Sequence, residues 1–125
     1  MKKIYSIVIT DQLQSCANFY SRLFGFHIVF EQAWYIHLVH EQSGAELAFM
    51  APETASQPPE LHMPYQGAGI VLSFEVEDAG QEYRRLADLG NCNIFLPLKD
   101  EPWGQRHFML RDPAGVCVDI VEQQA

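Results

Sequence analysis

The feature that most constrains this chain is a repeat: one order of elements is written twice in 125 residues. Ile4–Ile9 is a β-rich run, and Leu13, Ala17, Tyr20 and Phe24 then recur at the spacing of one helix face. Asp11 is placed to cap that helix and Gly25 to stop it. Strands are expected over His27–Glu31, Trp34–His40 and Ala45–Met50, the last two joined at Ser43-Gly44. The order then returns. Gly69–Val76 reads as a strand, and Ala79, Tyr83 and Leu86 mark a helix face between Asp78 and Gly90. Asn93–Leu98, Gln105–Arg111 and Val116–Glu122 read as strands, with a tight Asp112-Pro113-Ala114-Gly115 turn before the last. The first strands and the helix-stop glycines are offset by 65 residues, and the hairpin glycines Gly44 and Gly115 by 71.

Two β-α-β-β-β modules are therefore expected, about 1–50 and 67–125. Residues 51–66, with four prolines, form the linker. A single helix covers one face of a four-stranded sheet and leaves the other for a ligand, the second module or another chain. Alternation places Leu47, Phe49, Val116, Val118 and Ile120 on the helix side. Glu46, Ala48, Met50, Cys117, Asp119 and Val121 fall on the opposite side, so a carboxylate is expected at corresponding positions of both halves.

With 48% hydrophobic and 19% charged residues the chain has material for a core and is no disordered tail. No apolar run approaches the roughly 20 residues of a membrane span. The basic start MKKIYSIVIT is too short in its apolar part for a signal peptide, so a cytoplasmic protein is expected. Sixteen acids oppose eight bases. Nucleic acid and anionic membranes are thereby poor partners. The excess is local: Leu23 to Tyr83 holds nine Asp/Glu and no Lys or Arg. That stretch is either a solvated surface or a rim that attracts cations. Cys16, Cys92 and Cys117 show no zinc or disulfide spacing.

The paired modules, with F19-Y-x-x-L-F-G-F26 and D112-P-A-G-V-C-V-D-I-V-E122, resemble the vicinal oxygen chelate superfamily of glyoxalases, extradiol dioxygenases and bleomycin-resistance proteins. The segment E101-P-W-G-Q-R-H-F-M-L-R-D-P-A-G is most similar to the bleomycin-resistance branch. The resemblance implies an α+β fold in which two βαβββ modules form an open, curved mixed sheet around a concave cavity. It also implies a homodimer. Metal enzymes of the family draw ligands from positions that the resemblance assigns here to Tyr5, Glu46, Gly69 and Asp119. Glu46 keeps that pattern and Asp119 keeps its charge, but Tyr5 departs from it and Gly69 has no side chain. Two carboxylates fall short of a catalytic zinc set.

Nucleophile motifs and phosphate loops are absent from the sequence. The parity of His107 puts it beside Met109 on the cavity side. The two tryptophans, Trp34 and Trp103, stand at strand entries, where aromatic rings sandwich a flat ligand in the bleomycin-resistance proteins. The expectation is a small-molecule-binding protein without a cofactor, sequestering a flat cationic compound in an antibiotic-resistance-like manner. Its groove is expected to be lined by Trp34, Glu46, Glu75, Trp103, His107 and Asp119, with no catalytic residue. One alternative is a metal-dependent lyase, isomerase or dioxygenase with a divalent ion on Glu46, His107 and Asp119. Another is a structural or regulatory dimer with a vestigial cavity.

Overall fold

The computed structural model describes residues 1–124. Two compact units are present, Met1–Gln66 and Gly67–Ala125. In unit 1 the elements are β1 (Ser6–Ile9), α1 (Leu13–Phe24), β2 (Phe26–Gln32), β3 (Tyr35–His40) and β4 (Glu46–Met50). Unit 2 repeats them as β5 (Val71–Glu75), α2 (Ala79–Leu89), β6 (Asn93–Glu101), β7 (Gln105–Arg111) and β8 (Cys117–Gln123). Each unit holds an open, mixed four-stranded sheet, in the order β1-β4-β3-β2 or β5-β8-β7-β6. The first and last strands of each module pair in parallel, which the intervening helix crossover permits.

Each helix packs one apolar face onto its own sheet. In unit 1, Cys16, Ala17, Tyr20 and Leu23 are buried with Ile36, Leu38, Leu47 and Phe49, and Tyr20 stacks on Phe49 at 5.6 Å between centroids. In unit 2, Ala79, Gly80 and Leu86 are buried on α2, and the Tyr83 ring meets Phe108 edge-on at 5.1 Å. The alternation expected for β4 and β8 is therefore the one that the helices cover.

The helix ends differ from each other. Gly25 is left-handed (φ 74°) and returns its N–H to the Tyr20 carbonyl, as its place after the last apolar residue predicts. Asp78 caps α2 by accepting from the Gln81 N–H at 3.0 Å. Asp78→Ala is expected to cost about 1 kcal/mol, read by chemical denaturation. Asp11 does not cap α1. Gln12 occupies the cap position without a side-chain bond, and its N–H goes instead to Thr10 Oγ1 at 3.1 Å.

Two expectations shift in register. The helices end 65 residues apart, but they start at Leu13 and Ala79, 66 apart, because α1 has 12 residues and α2 has 11. Val8, paired with Phe49, thus corresponds to Phe74, paired with Ile120. The hairpin offset of 71 agrees, taking Phe49 to Ile120. It also takes Glu46 to Cys117 and Ala48 to Asp119. Both carboxylates leave the face opposite the helix, but they do not occupy corresponding positions.

Strand β6 also runs three residues past its expected end at Leu98, to Glu101. Pro97 reads as a breaker, yet β6 is the outermost strand of its sheet, and its register slips between Leu96 and Lys99. An outer strand at a bulge accommodates a residue with no N–H to donate. The 51–66 segment is tied to unit 1: Tyr65 donates its N–H to the Ile9 carbonyl at 2.8 Å, and Glu53 to that of His62 at 3.2 Å. Among the described residues no helix is long and apolar enough to cross a membrane.

Candidate functional site

The sheet face opposite the helix carries the chemistry in both units. In unit 2, β7–β8 register puts Gln105, His107 and Met109 opposite Gln123, Val121 and Asp119. Parallel pairing adds Val71, Ser73 and Glu75 to the same face, all three exposed. The added length of β6 places Lys99 opposite His107 and Glu101 opposite Gln105.

His107 is buried and bonded at both nitrogens, Nδ1 to Asp119 Oδ1 at 2.8 Å and Nε2 to Glu101 Oε2 at 2.7 Å. An ionised carboxylate only accepts, so with both acids ionised each ring nitrogen must carry a proton. Burial opposes that charge. The hydrogen bonds to Glu101 and Asp119 outweigh it and raise the pKa of His107 above its ordinary 6.5. The hydrogen bond from His107 lowers that of Glu101, and Lys99 Nζ lies 3.3 Å from its other oxygen. His107 therefore clamps two acids and has no ring nitrogen left for a ligand.

A second network runs along the same face. Trp103, 67% exposed, donates its indole N–H to Gln105 Oε1 at 2.9 Å. Gln105 donates to Gln123 at 3.2 Å, and Gln123 donates to Glu75 Oε1 at 2.9 Å. Two residues expected at the site, Trp103 and Glu75, are thus linked through two amides. Among the described residues no cationic side chain pairs with Glu75, so its charge is uncompensated.

In unit 1 the face opposite the helix carries Ile7, Ala48, His37 and Phe30 in one row and Ile9, Met50, Tyr35 and Gln32 in the next. Glu46 is bonded to Lys3 Nζ at 2.9 Å and to His37 Nε2 at 2.7 Å. Lys3 first, and His37 second, lower its pKa. Its charge is therefore met within the unit. His37 Nδ1 lies within hydrogen-bond distance of the Tyr35 hydroxyl, at 2.9 Å. Trp34 stands in the turn before β3, 41% exposed, its ring 5.4 Å from that of Tyr35.

Of the six residues expected to line a groove, the structure bonds His107 to Asp119 and links Trp103 to Glu75. Trp34 and Glu46 belong to unit 1. Glu101, Lys99 and His37 were not expected at the site, and Tyr35 only as a weaker aromatic candidate. Glu101 and Lys99 were hidden by Pro97. His37 was legible by parity, since it shares the face of the β4 residue opposite it, Ala48.

The donor set fits a metal ion poorly. Among the described residues no group of three or more His, Cys, Asp or Glu side chains is arranged to hold one. His37 and His107, two of the histidines on these faces, each have both ring nitrogens committed. Tyr5 belongs to the His37 cluster, its ring 4.6 Å from the imidazole.

A sequence model described as Glyoxalase/Bleomycin resistance protein/Dioxygenase superfamily matches residues 4–120. No curated protein matches by sequence. Solved structures share the fold. A glyoxalase/bleomycin resistance protein/dioxygenase from Nocardioides superposes with a TM-score of 0.78 at 20% identity, over 96% of this chain and 82% of its own. A glyoxalase/bleomycin resistance protein/dioxygenase family enzyme from Burkholderia phytofirmans PsJN gives 0.78 at 16%, over 95% and 96%. TioX from Micromonospora sp. ML1 gives 0.75 at 18%, over 98% and 99%. At these identities the likeness is one of fold.

Proposed function

Because this chain belongs to the Glyoxalase/Bleomycin resistance protein/Dioxygenase superfamily, we propose that it binds and sequesters a flat, cationic small molecule without a metal ion. The observation that carries this reading is the linked Trp103–Gln105–Gln123–Glu75 row in unit 2. An exposed indole offers its face to a planar ring, and aromatic faces attract cations. The amide row limits the orientations open to the indole, which lowers the entropy lost on binding. Glu75 supplies an uncompensated negative charge on the same face. The Glu101–His107–Asp119 cluster forms a polar floor whose bonds are satisfied internally, and Trp34 in unit 1 is a second exposed indole.

The experiment is a fluorescence titration with N-methylacridinium, a planar permanent cation, after exhaustive chelation. Saturable quenching of tryptophan emission with single-site stoichiometry, unchanged by the chelator, is expected. The affinity should fall as ionic strength rises from about 0.1 M to about 1 M, where the screening length shortens from about 10 Å to about 3 Å. Quenching that requires added divalent metal would favour a metal-dependent enzyme instead. Absence of saturable quenching would leave the binding reading without support.

A further inference from the structure

The hydrogen bonds of the unit 2 row have one consistent arrangement. The Trp103 indole only donates, so the Gln105 atom 2.9 Å from it is the carbonyl oxygen. Gln105 then turns its amide nitrogen to Gln123 Oε1 at 3.2 Å. Gln123 turns its own nitrogen to Glu75 Oε1 at 2.9 Å, and a carboxylate only accepts. Rotating either amide by half a turn would set donor against donor on one side and acceptor against acceptor on the other. The row therefore runs one way, from a donor-only ring to an acceptor-only group, and each bond polarises the next toward Glu75.

The carboxylate at the end of the row uses one oxygen. Among the described residues nothing bonds Oε2 of Glu75, and Glu75 is exposed. The other carboxylates on this face are engaged. Glu101 meets His107 Nε2 at 2.7 Å and Lys99 Nζ at 3.3 Å. Asp119 meets His107 Nδ1 at 2.8 Å and is buried. Glu75 Oε2 is the carboxylate oxygen that the face leaves open to a donor.

Its place sets the shape of what can reach it. Gln105 lies on β7 and Glu75 on β5, with β8 between them. Two strand spacings put the indole end and the acceptor end about 10 Å apart. The long axis of three linearly fused rings matches that span.

From this arrangement we infer that the site selects aminoarene cations, flat ring cations with an N–H donor at the end of the ring, over flat cations without one. The inference rests on the planar-cation reading and narrows it from charge alone to charge with a terminal donor. The ring lies on Trp103 and its terminal N–H donates to Glu75 Oε2. Gln123 is a positioning residue, since its amide holds the carboxylate by the other oxygen. A hydrogen bond between ionised partners is shorter and stronger than a neutral one, so a missing donor is felt more at this acceptor than at an uncharged one.

The test uses proflavine and acridine orange at pH 8. Both are flat three-ring cations. Proflavine ends in amino groups, and acridine orange in dimethylamino groups with no hydrogen to give. Each dye is titrated into the full chain and followed by its absorbance, and the ratio of the two affinities is compared between variants. That comparison cancels the greater hydrophobicity of acridine orange. Proflavine's advantage should be about fivefold greater in wild type than in Glu75→Gln, the scale of one partly solvated charged hydrogen bond. Gln123→Met removes the amide and keeps the Glu75 charge. It should lower the ratio by at least about twofold while acridine orange keeps its salt dependence. If both dyes bind and Glu75→Gln leaves the ratio unchanged, the inference is overturned and the planar-cation reading stands. A wild-type ratio in Gln123→Met also overturns it. If neither dye binds, the planar-cation reading falls and the inference falls with it.

Discussion

Replacing His107 with alanine is expected to lower the unfolding free energy by about 3 kcal/mol at pH 5.5. That is the scale for removing one partner from a buried charge cluster. The imidazole bridges Glu101 and Asp119 at 2.7 and 2.8 Å and is 4% exposed, so its removal leaves two acids facing each other across a void. The pH dependence has a definite sign. His107 is raised on folding, so its contribution is full below its ordinary 6.5 and is lost as pH rises through its folded value. Glu101 is lowered, so its contribution is full above its ordinary 4.5 and is lost as pH falls through its folded value. The gap between wild type and His107→Ala in urea denaturation should therefore be widest between about pH 4.5 and 6.5. A gap below about 0.5 kcal/mol throughout would mean that the cluster adds nothing net, the known alternative for ion pairs near a surface.

The second large effect concerns the planar cation. Trp103→Ala is expected to weaken N-methylacridinium binding by about tenfold to thirtyfold, since it removes the stacking surface and its attraction for a cation. Glu75→Gln should weaken it by about fivefold and flatten the salt dependence, because the amide keeps the bond to Gln123 but not the charge. Trp34→Ala is the control in unit 1, with an expected change within about twofold. A loss on Trp34→Ala equal to that on Trp103→Ala would move the ligand's main contact to unit 1.

The repeat was legible because period-2 and period-3.6 patterns alternate cleanly, and because Gly25, Asp78 and Gly115 sit where a stop, a cap and a turn need them. Asp11 failed as a cap because the two residues after it, Gln12 and Leu13, begin the helix one position later. Offsets between glycines aligned the modules only to within a residue. One residue reverses the face of a strand, whereas the hairpin offset of 71 already takes Ala48 to Asp119 and leaves Glu46 two residues away on the same face. Parity named the right face for His107 and Asp119. It could not show that Glu101 would take the other nitrogen of His107, because that depends on β6 continuing through Pro97 at an outer bulge. Nor could composition show that Lys3, from outside the base-free stretch, would meet the charge of Glu46. The acidic surplus is in part compensated: Glu46 and Glu101 have cationic partners and Glu75 has only an amide.

The most direct measurement compares two probes that differ by one charge. N-methylacridinium and neutral acridine, titrated at pH 8 into the chelated full-length chain, present nearly the same ring. The cation should bind at least about tenfold more tightly, a difference of about 1.4 kcal/mol, with the excess removed in Glu75→Gln. Equal affinity for the two probes, or a preference for the cation that survives Glu75→Gln, would contradict the account.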